Sequence, residues 1–228
     1  MNNDAEIKLY MTLAETGDIA AQNRMGFTYQ HGKGVPQDYA EALKWYFMAA
    51  ERGHAEAQNN LGLMYQNGEG VQQDYAEALK WYSMAASQGH AEAQNNLGLM
   101  YQNGEGVPQN YEEAFRWYTK AAEQDHAPAQ NNLGWMYQNG EGVPRNYKEA
   151  ISWYLKASQQ GNADAQNNLG WMYQNGEGVP QDDAEAVRWY RKAADQGHAD
   201  AQNNLGWMYH NGKGVLRDYA MAVKLYRK

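Results

Sequence analysis

The chain has 228 residues, a formal net charge of −8, 43% hydrophobic residues and no cysteine. That composition allows a buried core and excludes disulfides and thiolate metal sites. No basic stripe suits nucleic acid, and no apolar run approaches the roughly 20 residues of a membrane span.

The first predicted element covers residues 4–15. It matches the second helix of the repeats that follow, with Leu9-Tyr10 at the position of Trp45-Tyr46, and reads as an N-terminal cap over 1–18. Ala21-Gln22-Asn23-Arg24-Met25-Gly26 then opens a series. Ala57-Gln58-Asn59-Asn60-Leu61-Gly62 returns at Ala93, Ala129, Ala165 and Ala201, each time 36 residues on. A fixed period of this size marks a stacked-repeat architecture. Full repeats span 19–54, 55–90, 91–126, 127–162 and 163–198, and a truncated one spans 199–228, where Lys228 falls at the position of Lys192. The whole is expected to be one solenoid domain.

Each repeat predicts two helices. The first, near 55–67, aligns Ala57, Leu61, Met64 and Tyr65 on one face and stops at Asn67-Gly68, where glycine suits a left-handed cap. The second opens on Asp74, three residues before Glu77, as in a capping box, and its stripe is Tyr75, Ala78, Leu79, Tyr82, Ala85 and Ala86. Trp81 lies at the edge of that stripe. Gly62 falls in mid-helix, where glycine costs about 1 kcal/mol against alanine. Close approach of the paired helix, at the Ala78-type residue, is the expected reason. One hairpin cannot bury its stripe alone, so the hairpins must stack. Thirteen helices are expected. The 18 Tyr and 8 Trp, against 3 Phe, suit half-buried positions in a thin structure.

The spacings Leu61-Gly62-x-x-Tyr65 and Ala78-x-x-x-Tyr82-x-x-Ala85 resemble the tetratricopeptide pattern. Gln58 replaces the tryptophan of that pattern. This departure, the longer period, Asn67-Gly68-x-Gly70-Val71 and Trp81-Tyr82-x-x-Ala85-Ala86-x-x-Gly89 make the chain resemble the Sel-1-like repeat family. The resemblance implies an all-α fold, a right-handed α-solenoid (superhelix) of stacked antiparallel helical hairpins. It also implies an adaptor for macromolecular complexes, often bacterial and in some members exported. A disulfide-rich branch is linked to β-lactam binding, but this chain has no cysteine.

In such a solenoid the first helices line a concave groove. Its expected ligand-binding rows are Asn59, Asn95, Asn131, Asn167 and Asn203, then Gln138 and Gln174, then Trp135, Trp171 and Trp207. Amides donate and accept hydrogen bonds, and tryptophan is a frequent binding anchor. Protein or peptide is the expected partner and a glycan or peptidoglycan fragment the alternative; hydrolase or β-lactam-binding activity by family analogy ranks third. Self-association through an exposed C-terminal repeat is a further expectation.

No catalytic, cofactor or metal residues are assigned. His54, His90, His126 and His198 stand a whole repeat apart, too far for shared metal bonds of about 2 Å, and are expected at helix starts. The serines lack a nucleophile motif. Glu69, Glu105, Glu141 and Glu177 read as a solvated loop ridge. The start, Met1-Asn2-Asn3-Asp4, lacks the features of a signal peptide. It suits a cytoplasmic protein if Met1 is native, and an exported or periplasmic one if a leader was removed.

Overall fold

Glycine stops and aspartate or asparagine starts divide the chain as its period demands. The computed structural model describes residues 3–226; Met1, Asn2, Arg227 and Lys228, the last being the position aligned with Lys192, lie outside them. The first helices are α2 (Ile19–His31), α4 (Ala55–Asn67), α6 (Ala91–Asn103), α8 (Ala127–Asn139), α10 (Ala163–Asn175) and α12 (Ala199–Asn211). The second helices are α3 (Tyr39–Glu51), α5 (Tyr75–Ser87), α7 (Tyr111–Ala122), α9 (Tyr147–Gln159), α11 (Asp183–Asp195) and α13 (Tyr219–Tyr226), with α1 (Asn3–Glu15) ahead of them. These are thirteen helices, with no strand among the described residues. They gather into two compact units, Met1–Ala121 and Ala122–Lys228. Within each, hairpins stack in chain order: α1 on α2, α3 on α4 and α5 on α6 in the first, α9 on α10 and α11 on α12 in the second.

The first helices stop where a glycine takes a left-handed conformation. At Gly68 φ is 72°, and its N–H donates to Met64 O. The second helices start on a side-chain acceptor: Asp74 Oδ1 takes the N–H groups of Ala76 and Glu77 at 2.9 and 3.1 Å. The reciprocal half of a capping box is absent, however. The Asp74 N–H donates to Tyr65 O at 2.9 Å, closing the loop onto the first helix, and Glu77 turns to Lys80 instead.

Mid-helix glycine does mark close approach, but the partner is a tyrosine ring and not the Ala78-type residue. A Cβ on Gly62 would lie 2.6 Å from the Tyr82 ring, and one on Gly134 2.6 Å from Tyr154. The same pairing joins Gly26 to Tyr46, Gly98 to Tyr118, Gly170 to Tyr190 and Gly206 to Tyr226. Five of the six rings are anchored at their far ends as well. Tyr46, Tyr82, Tyr118, Tyr154 and Tyr190 donate their hydroxyls to Gln30, Gln66, Gln102, Gln138 and Gln174 at 2.6 to 2.9 Å. Burial pushes all five hydroxyls well above the usual tyrosine range, with Glu56 and Glu69 adding to the shift at Tyr46.

Successive hairpins are joined by the residue that stands where a tetratricopeptide motif has tryptophan. Buried Gln58 donates Nε2 at 3.0 Å to Ala50 O, a carbonyl at the end of α3 that also accepts the Gly53 N–H. Its Oε1 accepts from Gln88 Nε2 at 2.7 Å. Gln22, Gln94, Gln130, Gln166 and Gln202 make the same carbonyl bond at 3.1 to 3.4 Å.

Candidate binding face

Ala57, Leu61, Met64 and their counterparts in α10 and α12 turn into the core, so the opposite stripe of these helices is left for solvent. In α10 this stripe holds Asp164, Asn168, Trp171 and Asn175 at helical spacing. Trp171 is 39% exposed and Trp207, its counterpart in α12, 44%. Trp135 in α8 is half-buried. All three lie in the second unit; the first unit has Phe27, Leu63 and Leu99 at these positions, each half-buried.

The asparagine rows hold neighbouring repeats together. Asn60 Nδ2 donates to Asn23 Oδ1 at 3.4 Å and Asn96 Nδ2 to Asn59 Oδ1 at 3.1 Å. In the second unit Asn168 donates to Asn131 and Asn204 to Asn167, both at 3.0 Å. Asn59 and Asn95 are only 2% and 6% exposed, whereas Asn131 and Asn167 are half-buried and Asn203 is exposed. The open part of the row therefore coincides with the tryptophans. Gln138 and Gln174 spend Oε1 on the tyrosine hydroxyls and are half-buried.

The loop glutamates differ from a plain solvated ridge. Glu69 Oε2 accepts from Gln30 Nε2 at 2.8 Å, and Glu105 Oε2 from Gln66 Nε2 at 3.1 Å, so in the first unit they bridge repeats. The histidines do stand at helix starts, where they cap: Nδ1 of His54, His90, His126 and His198 accepts the N–H three residues on, at 3.1 to 3.4 Å. Asn162 performs the same task with Oδ1 at 2.8 Å. Trp81 is buried and meets Phe47 edge-on, with ring centres 5.9 Å apart. Val223 and Tyr226 are both exposed by nearly half.

A cleft of about 630 Å³ in the first unit touches Tyr10, Asn23, Arg24 and Phe27. Among the described residues no group of three or more His, Asp or Glu could hold a metal ion, and no helix is long and apolar enough to cross a membrane.

Antiparallel hairpins in tandem, closed by the same bonds at each joint, define an α-solenoid repeat protein with an amide- and tryptophan-bearing face. The Sel1 repeat model matches residues 19–54, 55–90, 91–126, 127–162, 163–198 and 199–228. The chain belongs to the Sel1 repeat family, whose members are generally protein-interaction scaffolds. It is similar to a protective antigen of uropathogenic Escherichia coli with an SLR fold, at 42% identity and TM-score 0.86 over 97% of this chain and 47% of that one. The chain thus spans about half the length of that relative. A Sel1 repeat protein from Oxalobacter formigenes is 35% identical, with TM-score 0.88 over 92% of this chain and 84% of the other. An immunity protein from Pseudomonas aeruginosa shares the fold at 23% identity and TM-score 0.60, over 92% of this chain and 81% of its own. No curated protein sequence matches the chain.

Proposed function

We propose that the chain is a non-catalytic scaffold that binds a protein or peptide through the face built by its first helices, centred on Trp135, Trp171 and Trp207. The observation that carries this reading is the exposure of Trp171 and Trp207, 39% and 44%, on rigid helices flanked by amides. Large apolar rings left in water on ordered elements are where binding energy concentrates. Asn131, Asn167, Asn203, Gln138 and Gln174 supply polar contacts beside the rings. Asn59 and Asn95 belong to the same row but act first between repeats. Members of the Sel1 repeat family are generally protein-interaction scaffolds, which agrees with a binding role.

Immobilised protein should retain a partner from the source cell, and Trp171→Ala should weaken that retention by roughly thirtyfold, the loss for truncating one aromatic anchor of about 2 kcal/mol. Trp81→Ala, which empties a buried site, should lower the denaturation midpoint and spare intrinsic affinity. Retention lost in Trp81→Ala and kept in a folded Trp171→Ala would move the site to the second helices. Trp171-dependent binding of muropeptides or other glycans, with no protein retained, would favour the sugar alternative.

A further inference from the structure

The second helices cover their own tryptophans with lysine. Nζ of Lys120, Lys156 and Lys192 lies 3.9 Å from the ring centres of Trp117, Trp153 and Trp189. The first helices do the opposite. From α4 to α12 they contain no lysine or arginine, and among the described residues no cation of the chain lies over Trp171 or Trp207.

Their charges are carboxylates. Asp164 stands two helical turns before Trp171 on the same face, roughly 10 Å along the axis. Its charge is not cancelled by the neighbouring imidazole. His198 Nδ1 accepts the Ala201 N–H, so the ring proton sits on Nε2, which donates to Asp164 Oδ1 at 2.9 Å. Asp164 remains 65% exposed on its side chain. Glu177, in the loop after α10, is half-buried, and its carboxylate has no hydrogen-bond partner among the described residues.

The first repeat shows what this position accepts. Phe27 occupies the place of Trp171, and Lys33 that of Glu177. Lys33 Nζ lies 4.4 Å from the Phe27 ring centre, with the Arg24 guanidinium at 5.7 Å. In the first repeat, then, the chain's own cations stack on the inner aromatic. At Trp171 the ring is the stronger cation acceptor, and the lysine has become a carboxylate. Trp207 is a weaker case, since Lys213 follows it at the Lys33 position and lies 4.0 Å from Asp183 Oδ2.

Resting on the binding reading above, we propose that the face around Trp171 selects an extended basic peptide, with a lysine or arginine side chain stacked on the indole and Asp164 and Glu177 on either side of the charge. Acidic segments are repelled by the same pair.

The test uses three sets of scrambled 12-residue peptides on one neutral background, carrying lysine, glutamate or glutamine at alternate positions. The lysine set should bind, more weakly as salt rises. Trp171→Ala should weaken it about tenfold and Trp171→Phe less, and Asp164→Asn with Glu177→Gln should weaken it by a similar factor. Glutamate or glutamine peptides that bind as tightly, with the same Trp171 dependence, would overturn the charge preference and leave the first-helix face as the site. Lysine peptides indifferent to both Trp171→Ala and Trp207→Ala would overturn the preference and the site together. Binding by no set would overturn the charge preference, with the site still decided by retention of the cellular partner.

Discussion

Gly134 and Tyr154 show how tightly one contact can be specified. The ring is fixed by the glycine's bare backbone at one end and by the Gln138 acceptor at the other, 2.7 Å from the hydroxyl. Alanine at 134 would gain about 1 kcal/mol in helix propensity. Its Cβ would meet the ring at 2.6 Å, and a ring held at both ends cannot slide away. Overpacking of this kind costs about 1–3 kcal/mol, so the steric term should win. Gly134→Ala is expected to lower the urea midpoint at an unchanged slope; an equal or higher midpoint would show that the ring yields. The glycine was legible in the sequence as a close approach, but its partner was not. Ala78 and Tyr82 sit one turn apart on the same stripe, and periodicity cannot choose between them.

At the scale of the helix, sequence patterning located the elements well and their end bonds less so. The period, the glycine stops and the aspartate or asparagine starts mark every hairpin, because each reflects local chemistry. Missed were bonds that need three dimensions: the Asp74 N–H reaching back to Tyr65 O, and Gln58 reaching the carbonyl of Ala50. A signal for the second was present, since a glutamine on an otherwise apolar stripe must find partners. The polar and aromatic rows of the first helices were legible, but not which members of a row are open, because burial of Asn59 depends on how closely neighbouring repeats pack. The histidine caps lead to a prediction. Asn162 already does at its start what His90 does at another, with 2.8 Å against 3.2 Å. His90→Asn should therefore leave the thermal midpoint unchanged or slightly raised, whereas His90→Leu should cost about 1 kcal/mol. Equal loss in both variants would mean that the imidazole matters for its packing and not for its acceptor.

Over the whole molecule the buried tyrosines add up. Tyr46, Tyr82, Tyr118, Tyr154 and Tyr190 hold their protons in the folded state well above the ordinary value of about 10. Above that pH the unfolded chain has lost protons that the folded chain keeps, so it binds fewer of them. Stability is then independent of these groups below about pH 10 and falls as pH rises beyond it. The alkaline transition should be steep, with phenolate absorbance from the five appearing together with the loss of helical circular dichroism. Full tyrosine ionisation with the helix signal intact would contradict their burial.

The joints between repeats have one more consequence. The bonds of Gln166 to Ser158 O and of Gln202 to Ala194 O use the same donor and the same backbone acceptor, and Asn168 and Asn204 reach back to Asn131 and Asn167 alike. Removing or adding a block of one whole period would bring matching halves together, with no donor orphaned and no side chain facing a stranger. An insertion of any other length would break every such match at the seam. Unequal recombination between these near-identical segments can therefore lengthen or shorten the gene in whole-repeat steps while the folding chemistry stays the same. The number of repeats becomes a heritable quantity that selection can adjust independently of what any single repeat contains.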